Sequence, residues 1–503
     1  MAFMVHWRKI KHITGLGGNL SKGVDVCTFL LESSWLAVDR CDVALVTIDV
    51  LPDLALLTIF DFYMDEKKIE TWHTLVHVCR KWRNVVFGSP RRLKLRLCCT
   101  ASSLRRCKLD VWPRLPIVVR GDGHEKRGVD YIIAALKHND HVCDINFCWA
   151  GCWHSRSQME EVLTAMQQPF PALTHLVVEA RTIEVSIVPA SFLSGSATRL
   201  QSLCLRCIPF PRLPNLLLSA THLVNLQLLD IPHSGYISPE IMVTSLSVLT
   251  RLERFQISFD SPRSRPRRKS RRPFPQTLTL LPALTGLWFG GAHQYLEDLV
   301  AQIDAPLLNE LYISFSTFGT PPLTPFFSRI SMPKPDNEAR VFFSETGVVI
   351  NFPRTIDGAL KLEVSGDETE QQLSWTARLC SSSLPQSLIS VVEHLYIETE
   401  EEWKLNWLLL DDETENSQWL ELLRPFTSVK CLYITYGFER LFARAMEGLI
   451  GERVTEVLPA LQTIFLQNFY EKERIQKYFG PLAAARQLAG HPISFSISEG
   501  MYF

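Results

Sequence analysis

The chain has no long apolar run. Among its 503 residues the richest stretch, Leu213 to Ile231, is broken by Asn215, His222, Asn225 and Gln227, so no membrane-spanning helix is expected. Net charge is nearly absent too, at −1 overall, and gives no general pull toward nucleic acid or an acidic membrane. The N-terminal residues include basic side chains but neither the apolar core nor the small-residue cleavage site of a signal peptide. The 13 cysteines, an odd number scattered over a long chain, do not form a disulfide framework. Free thiols in a reducing compartment are expected, hence a cytoplasmic and/or nuclear protein.

Signatures of bond chemistry are also missing. There is no His-Glu-x-x-His, Walker loop, kinase set or Gly-x-Ser-x-Gly elbow. Thr14-Gly15-Leu16-Gly17-Gly18 looks like a phosphate loop only superficially, without a preceding strand or a closing Lys-Ser/Thr. Cys143, Cys148, Cys152 and His154 lack the paired spacing of a zinc site. Cys204 and Cys207, three apart on a strand, point to opposite faces and make a poor redox pair. No catalytic residue, metal or cofactor is assigned, and an enzyme is not expected. Arg263 to Arg272 is rich in arginine without acids or aromatics. It reads as a solvated loop, with a nuclear address as the alternative and nucleic-acid contact third. Glu398 to Glu402 and Asp411 to Glu415, flanking Trp403 and Trp407, also read as solvated, with a basic partner as the alternative.

What is present begins between Val50 and Pro90. Pro52 suits a first helical turn, and Asp53 suits its positive end. Leu56, Ile59, Phe60 and Tyr63 then fall on one helical face. Thr71 is placed to cap a second helix with the stripe Leu75, Val78, Cys79, Trp82 and Val86, stopped by Gly88 and Pro90. A unit of about 40 residues is near the lower limit for independent stability, so this density of apolar side chains calls for packing against either the rest of the chain or a partner.

Leu51-Pro52-Asp53, the Leu-Leu-x-Ile-Phe helix and Val78-Cys79-Arg80-Lys81-Trp82-Arg83 together resemble an F-box. The phrase from Trp72-His73-Thr74-Leu75 to Phe87-Gly88-Ser89-Pro90-Arg91-Arg92-Leu93 is similar to the form found in F-box proteins of mushroom-type fungi. Leu54-Ala55 departs from the acidic residue and larger aliphatic usual there. The resemblance implies docking on a Skp-type adaptor and, through it, a cullin. The residues it assigns to that contact are Leu51, Pro52, Leu56, Ile59, Phe60, Leu75, Val78, Cys79 and Trp82.

Beyond residue 140 the chain repeats a Leu-x-x-Leu-x-Leu phrase. It recurs at Val142-Ile145-Phe147, Leu173-Leu176-Val178, Leu200-Leu203-Leu205, Leu223-Leu226-Leu228, Leu252-Phe255-Ile257, Leu284-Leu287-Phe289 and Leu308-Leu311-Ile313. It resumes at Val392-Leu395-Ile397, Val429-Leu432-Ile434 and Leu461-Ile464-Leu466. Early starts differ by 31, 27, 23, 29, 32 and 24 residues, straddling the period of leucine-rich repeats. Turn positions that are asparagine or cysteine in regular repeats are Ile208, Ile231, Asp260, Ala292 and Ser316, so irregular turns are expected. The gap between Leu308 and Val392 opens with a proline-rich stretch and contains a hairpin-like pair around Glu345-Thr346-Gly347.

The expected architecture is α/β: a leader (1–46), an all-helical F-box (47–90), a connector (91–139) containing one helix near Gly128 to Lys137, and a leucine-rich-repeat-like domain (140–503). That domain is read as an irregular solenoid with a curved parallel sheet and inserted or modified repeats at 318–390. Phrases such as Arg340-Val341-Phe342-Phe343-Ser344, the run from Ser417 to Phe426, and Gln487 to Ile493 are similar to the same fungal family. Residues between the last two inward leucines face the open side. They read Asn146, Val177, Cys204, Gln227 and Gln256, then Trp288, Tyr312, Tyr396, Tyr433 and Phe465. The five aromatics are the expected target-binding residues; the alternative is a column buried under the proline-rich segment or the closing cap. The implied function is substrate recognition for an SCF-type cullin–RING ubiquitin ligase, acting on an unidentified protein. The alternative is an F-box interaction scaffold that delivers nothing for ubiquitination.

Overall fold

The computed structural model describes residues 51–65, 72–100, 115–121, 126–149, 155–180, 187–260, 278–319, 323–330, 336–353, 359–365, 370–399, 413–435, 437–449, 451–467 and 472–498. The phosphate-loop candidate, Cys152, His154, Glu400 to Glu402, Trp403, Trp407, Asp411, Asp412 and the arginine-rich run all lie outside them. The chain divides into two compact units, Met1–Cys98 with Asp110–Pro116, and Cys99–Leu109 with Ile117–Phe503.

In the first unit α1 spans Asp53–Asp65, α2 Trp72–Val76 and α3 Arg80–Gly88. Asp53 stands in the first turn of α1, and Lys81 Nζ donates to Leu51 O at 2.8 Å, tying α3 to the start of α1. The expected single second helix is broken. Cys79 adopts an extended conformation, and its sulfur accepts the Trp82 amide as an N-cap, which starts α3 afresh. The break places Val78 outside the stripe, 44% exposed, while Trp72, Leu75, Val76, Trp82, Val85 and Val86 turn inward. Phe60 meets Trp82 edge to face at 4.7 Å, and Trp72 Nε1 donates to Arg96 O at 2.8 Å.

The second unit is built on strands alternating with helices. Strand β1, Leu97–Thr100, straddles the division at Cys98; β2 is Ile117–Gly121, β3 Val142–Trp149, β4 His175–Ala180, β5 Ser202–Arg206 and β6 Asn225–Ile231. Next come β7 Arg254–Phe259, β8 Thr279–Leu280, β9 Gly286–Gly291, β10 Ile303–Asp304, β11 Glu310–Phe315 and β12 Glu338–Ser344. The last six are β13 Gly347–Phe352, β14 Leu360–Ser365, β15 His394–Thr399, β16 Cys431–Thr435, β17 Thr463–Gln467 and β18 Ser494–Ser498. Except for the small β8–β10 pair, they form one 16-stranded sheet ordered β1-β2-β3-β4-β5-β6-β7-β9-β11-β14-β13-β12-β15-β16-β17-β18. The fold is therefore mixed α/β around a large, mostly parallel sheet. The supposed connector contributes two strands besides its helix, α4, Lys126–Leu136.

Every Leu-x-x-Leu-x-Leu phrase places its last two apolar residues in a strand, and these are buried. Burying a leucine, isoleucine or phenylalanine contributes about 1.5–3 kcal/mol, which fixes the register because a one-residue slip would expose the whole set. The turns are irregular, as the missing asparagines imply. Cys207 and Asp230 lie at φ 55° and 52°. The Ser258 hydroxyl, instead of an asparagine side chain, accepts the Asp230 amide at 2.7 Å and donates to its carboxylate at 3.1 Å.

The segment between β11 and β15 is not set apart from the sheet. β14 pairs parallel with β11, β13 runs antiparallel between β14 and β12, and β12 pairs parallel with β15. Gly347 is required in this hairpin, since a Cβ there would lie 2.0 Å from Val364 O. No described helix is long and apolar enough to cross a membrane.

Candidate functional site

One face of the sheet is a single register row. From β2 to β9 it reads Arg120, Asn146, Val177, Cys204, Gln227, Gln256 and Trp288. It continues through Tyr312, Lys361, Asn351, Arg340, Tyr396, Tyr433, Phe465 and Ser496. The reason is pleating. Alternate residues point to opposite faces, so leucines turned to the core leave their neighbours on the other side. All five aromatics are half-buried, while the flanking Leu287, Leu311, Leu395, Leu432 and Ile464 are fully buried. The aromatic row thus belongs to the open side of the sheet.

The aromatics form two groups bridged by the hairpin strands. Tyr396 and Tyr433 stack at 4.1 Å and 9°, and Tyr433 and Phe465 at 4.6 Å and 8°. The Arg340 guanidinium lies 4.6 Å over the other face of Tyr396, and Lys361 Nζ lies 4.7 Å over Tyr312. Each cation is anchored by carboxylates on the same face: Arg340 to Glu338 at 3.8 Å and Glu398 at 4.0 Å, Lys361 to Glu363 at 3.3 Å. The Tyr312 hydroxyl donates to Glu363. The Trp288 indole folds back along its own strand over Gly286, where a Cβ would meet it at 2.4 Å.

The electrostatics match this packing. Burial, then the Glu363 hydrogen bond, raises Tyr312 well above the usual tyrosine range. Burial followed by Glu338 does the same to Tyr396. Glu398 is also raised, by burial, against the opposing pull of Arg340. The row therefore presents two fixed cations between neutral phenols, with aromatic faces that suit flat or cationic groups.

The nine adaptor-contact residues separate into two sets. Leu56, Phe60, Leu75 and Trp82 are buried in the helical unit's own core, and Cys79 is its helix cap. Pro52, Ile59 and Val78 are exposed, and Leu51 is half-buried. Two further exposed apolar residues were not singled out by the stripe, Leu54 at 64% and Phe62 at 49%. On a helix of 3.6 residues per turn, Leu54, Phe62 and Ile59 fall within an arc of about 140° opposite Leu56 and Phe60.

The remaining candidates carry no chemistry. Burial, with Glu179 adding to it, pushes the Cys204 thiol up to about 11, and Cys207 is also raised by burial. Neither is poised as a nucleophilic thiolate. Among the described residues no cluster of His, Cys, Asp or Glu could hold a metal ion. The residues that sequence reasoning missed in the row are Arg120, Lys361, Asn351, Arg340 and Ser496. The signal for Arg340 and Lys361 was present as alternation in Glu338 to Ser344 and Leu360 to Ser365, but their place in the row depends on strand order. No protein-family model matches the chain, and no curated protein matches it in sequence.

Proposed function

We propose that this chain is the substrate-recognition subunit of an SCF-type cullin–RING ubiquitin ligase, with 47–90 acting as an F-box on a Skp-type adaptor and the open sheet face holding the target protein. The observation that carries the reading is the exposed apolar arc of Leu54, Ile59 and Phe62, together with exposed Val78, on a helical unit that already has a core. Exposed apolar groups of this size on a small unit call for a protein partner. The target surface is supported by the ring-and-cation row, because aromatic side chains and arginine dominate binding hot spots.

Co-expression with a Skp-type adaptor and cullin tests the assignment. The wild-type chain is expected to co-purify with both. Phe62→Asp combined with Val78→Asp should lose the adaptor by at least about tenfold while far-UV circular dichroism and melting stay unchanged, because both side chains are exposed. Undiminished adaptor binding by that folded double variant would sink the docking face. Adaptor binding without cullin would instead assign the chain to the scaffold class.

A further inference from the structure

Among the described residues the sheet ends at β18, and two observations converge on that edge. The first concerns the backbone. Ser494 N–H donates to Gln462 O at 2.8 Å, and alternation along a parallel strand turns the N–H and C=O of Phe495 and Ile497 outward. Natural edge strands are commonly blunted by lysine, proline or a bulge. β18 reads Ser-Phe-Ser-Ile-Ser and has none of these. Within it Ile497 is 40% exposed.

The second concerns the rings. The stack of Tyr396, Tyr433 and Phe465 is closed at one end by the Arg340 guanidinium. At the other end the residue in register with Phe465 is Ser496, too small to cover a ring face. The groups around that end, Thr463, Gln467 and Ser494, carry no charge. A neutral ring therefore suits this end better than a cation, in contrast to the carboxylate-flanked end at Arg340.

We propose that the free edge of β18 takes up an extended segment of a partner protein as an added strand, with an aromatic side chain opposite Ser496 that completes the stack on Phe465. The segment's alternate residues are aliphatic on the other face, where they cover Ile497. Main-chain hydrogen bonds to Phe495 and Ile497 supply the pairing, and the aromatic position supplies selectivity. A ring on the added strand must lean across Ser496 toward Phe465. Two strand spacings, about 9.6 Å, separate the two backbone positions, so the added ring and Phe465 meet over Ser496 by tilting toward each other, at the outer end of the roughly 4.5–7 Å centroid range of aromatic pairs. The inference rests on reading the chain as a protein receptor, but its test involves neither adaptor nor cullin.

The probe is a synthetic nine-residue peptide of alternating valine and threonine, with lysine at both ends and one central tyrosine on the threonine side. Added at millimolar concentration to the full chain, it should slow hydrogen exchange at the Phe495 and Ile497 amides by at least about tenfold. Replacing the peptide's tyrosine by alanine should weaken binding by about tenfold, in line with an aromatic pair plus its buried area. Ser496→Tyr in the chain should fill the slot and erase that preference while edge protection remains. Ile497→Lys should abolish protection without changing the melting temperature. Unchanged exchange at both amides overturns the proposal. So does protection that grows with protein concentration alone and accompanies dimer formation in sedimentation, since the occupant would then be a second copy. Loss of adaptor binding in the separate co-purification would remove the ligase assignment and leave this result standing.

Discussion

The two halves of the open row differ although their buried sides are alike. From β2 to β7 the positions of the row are Arg120, Asn146, Val177, the buried Cys204, Gln227 and Gln256; from β9 to β17 they are aromatic or cationic apart from Asn351. On the core side, Phe255 and Ile257 in one half are as buried as Phe343 and Ile434 in the other. On the proposed function, a difference confined to the open side serves recognition more than stability.

The largest expected effect tests the equality of the buried sides. Phe255→Ala and Phe343→Ala should each cost about 3–5 kcal/mol in urea unfolding, as complete truncation of a buried ring does. A much smaller loss for Phe343, which packs on Phe438 at 5.3 Å, would mean that the aromatic half is a looser structure. The next effect separates the open sides. Tyr396→Ala with Tyr433→Ala should lower affinity for a captured target by about a hundredfold. Gln227→Ala with Gln256→Ala should stay within about threefold of wild type, measured by titration calorimetry. If the double tyrosine variant also melts far below wild type, the stack belongs to the core and the contrast between halves disappears.

The smallest effect is a pH dependence. Tyr312 and Tyr396 titrate above their ordinary range in the fold, so the unfolded chain loses those protons first. Their contribution is complete below the ordinary tyrosine value of about 10 and is lost as pH rises beyond it. Melting curves taken upward from that pH should fall more steeply for wild type than for Tyr312→Phe with Tyr396→Phe. Parallel curves would mean that neither phenol is held neutral by the row.

Much of the large sheet was legible because leucine burial at alternate positions leaves a mark in sequence. The same alternation places Trp288, Tyr312, Tyr396, Tyr433 and Phe465 on one side. Strand order was not legible. Nothing local in Leu360-Lys361-Leu362 says that it pairs with β11 ahead of the two preceding strands. The run Ile117-Val118-Val119 lacked the leucine phrase, so β2 was hidden in the connector. Helical periodicity also failed at Val78, where the Cys79 cap restarts the helix and changes which side chains face outward. The three-residue spacing that groups Val78 with Leu75 holds only on an unbroken helix.

The reversed strand β13 has a consequence for how the sheet assembles. From β2 onward each parallel neighbour must wait for a connection of 18 or more residues to close, whereas β12 and β13 are joined through Glu345 and Thr346 alone. Hairpins form in about 1–10 μs, and distant pairings are slower because loop closure precedes their reward. The middle of the sheet is thus its natural point of nucleation, with growth outward toward β2 and β18. In a refolding experiment pulsed with deuterium, protection should reach Val349 before it reaches Leu203.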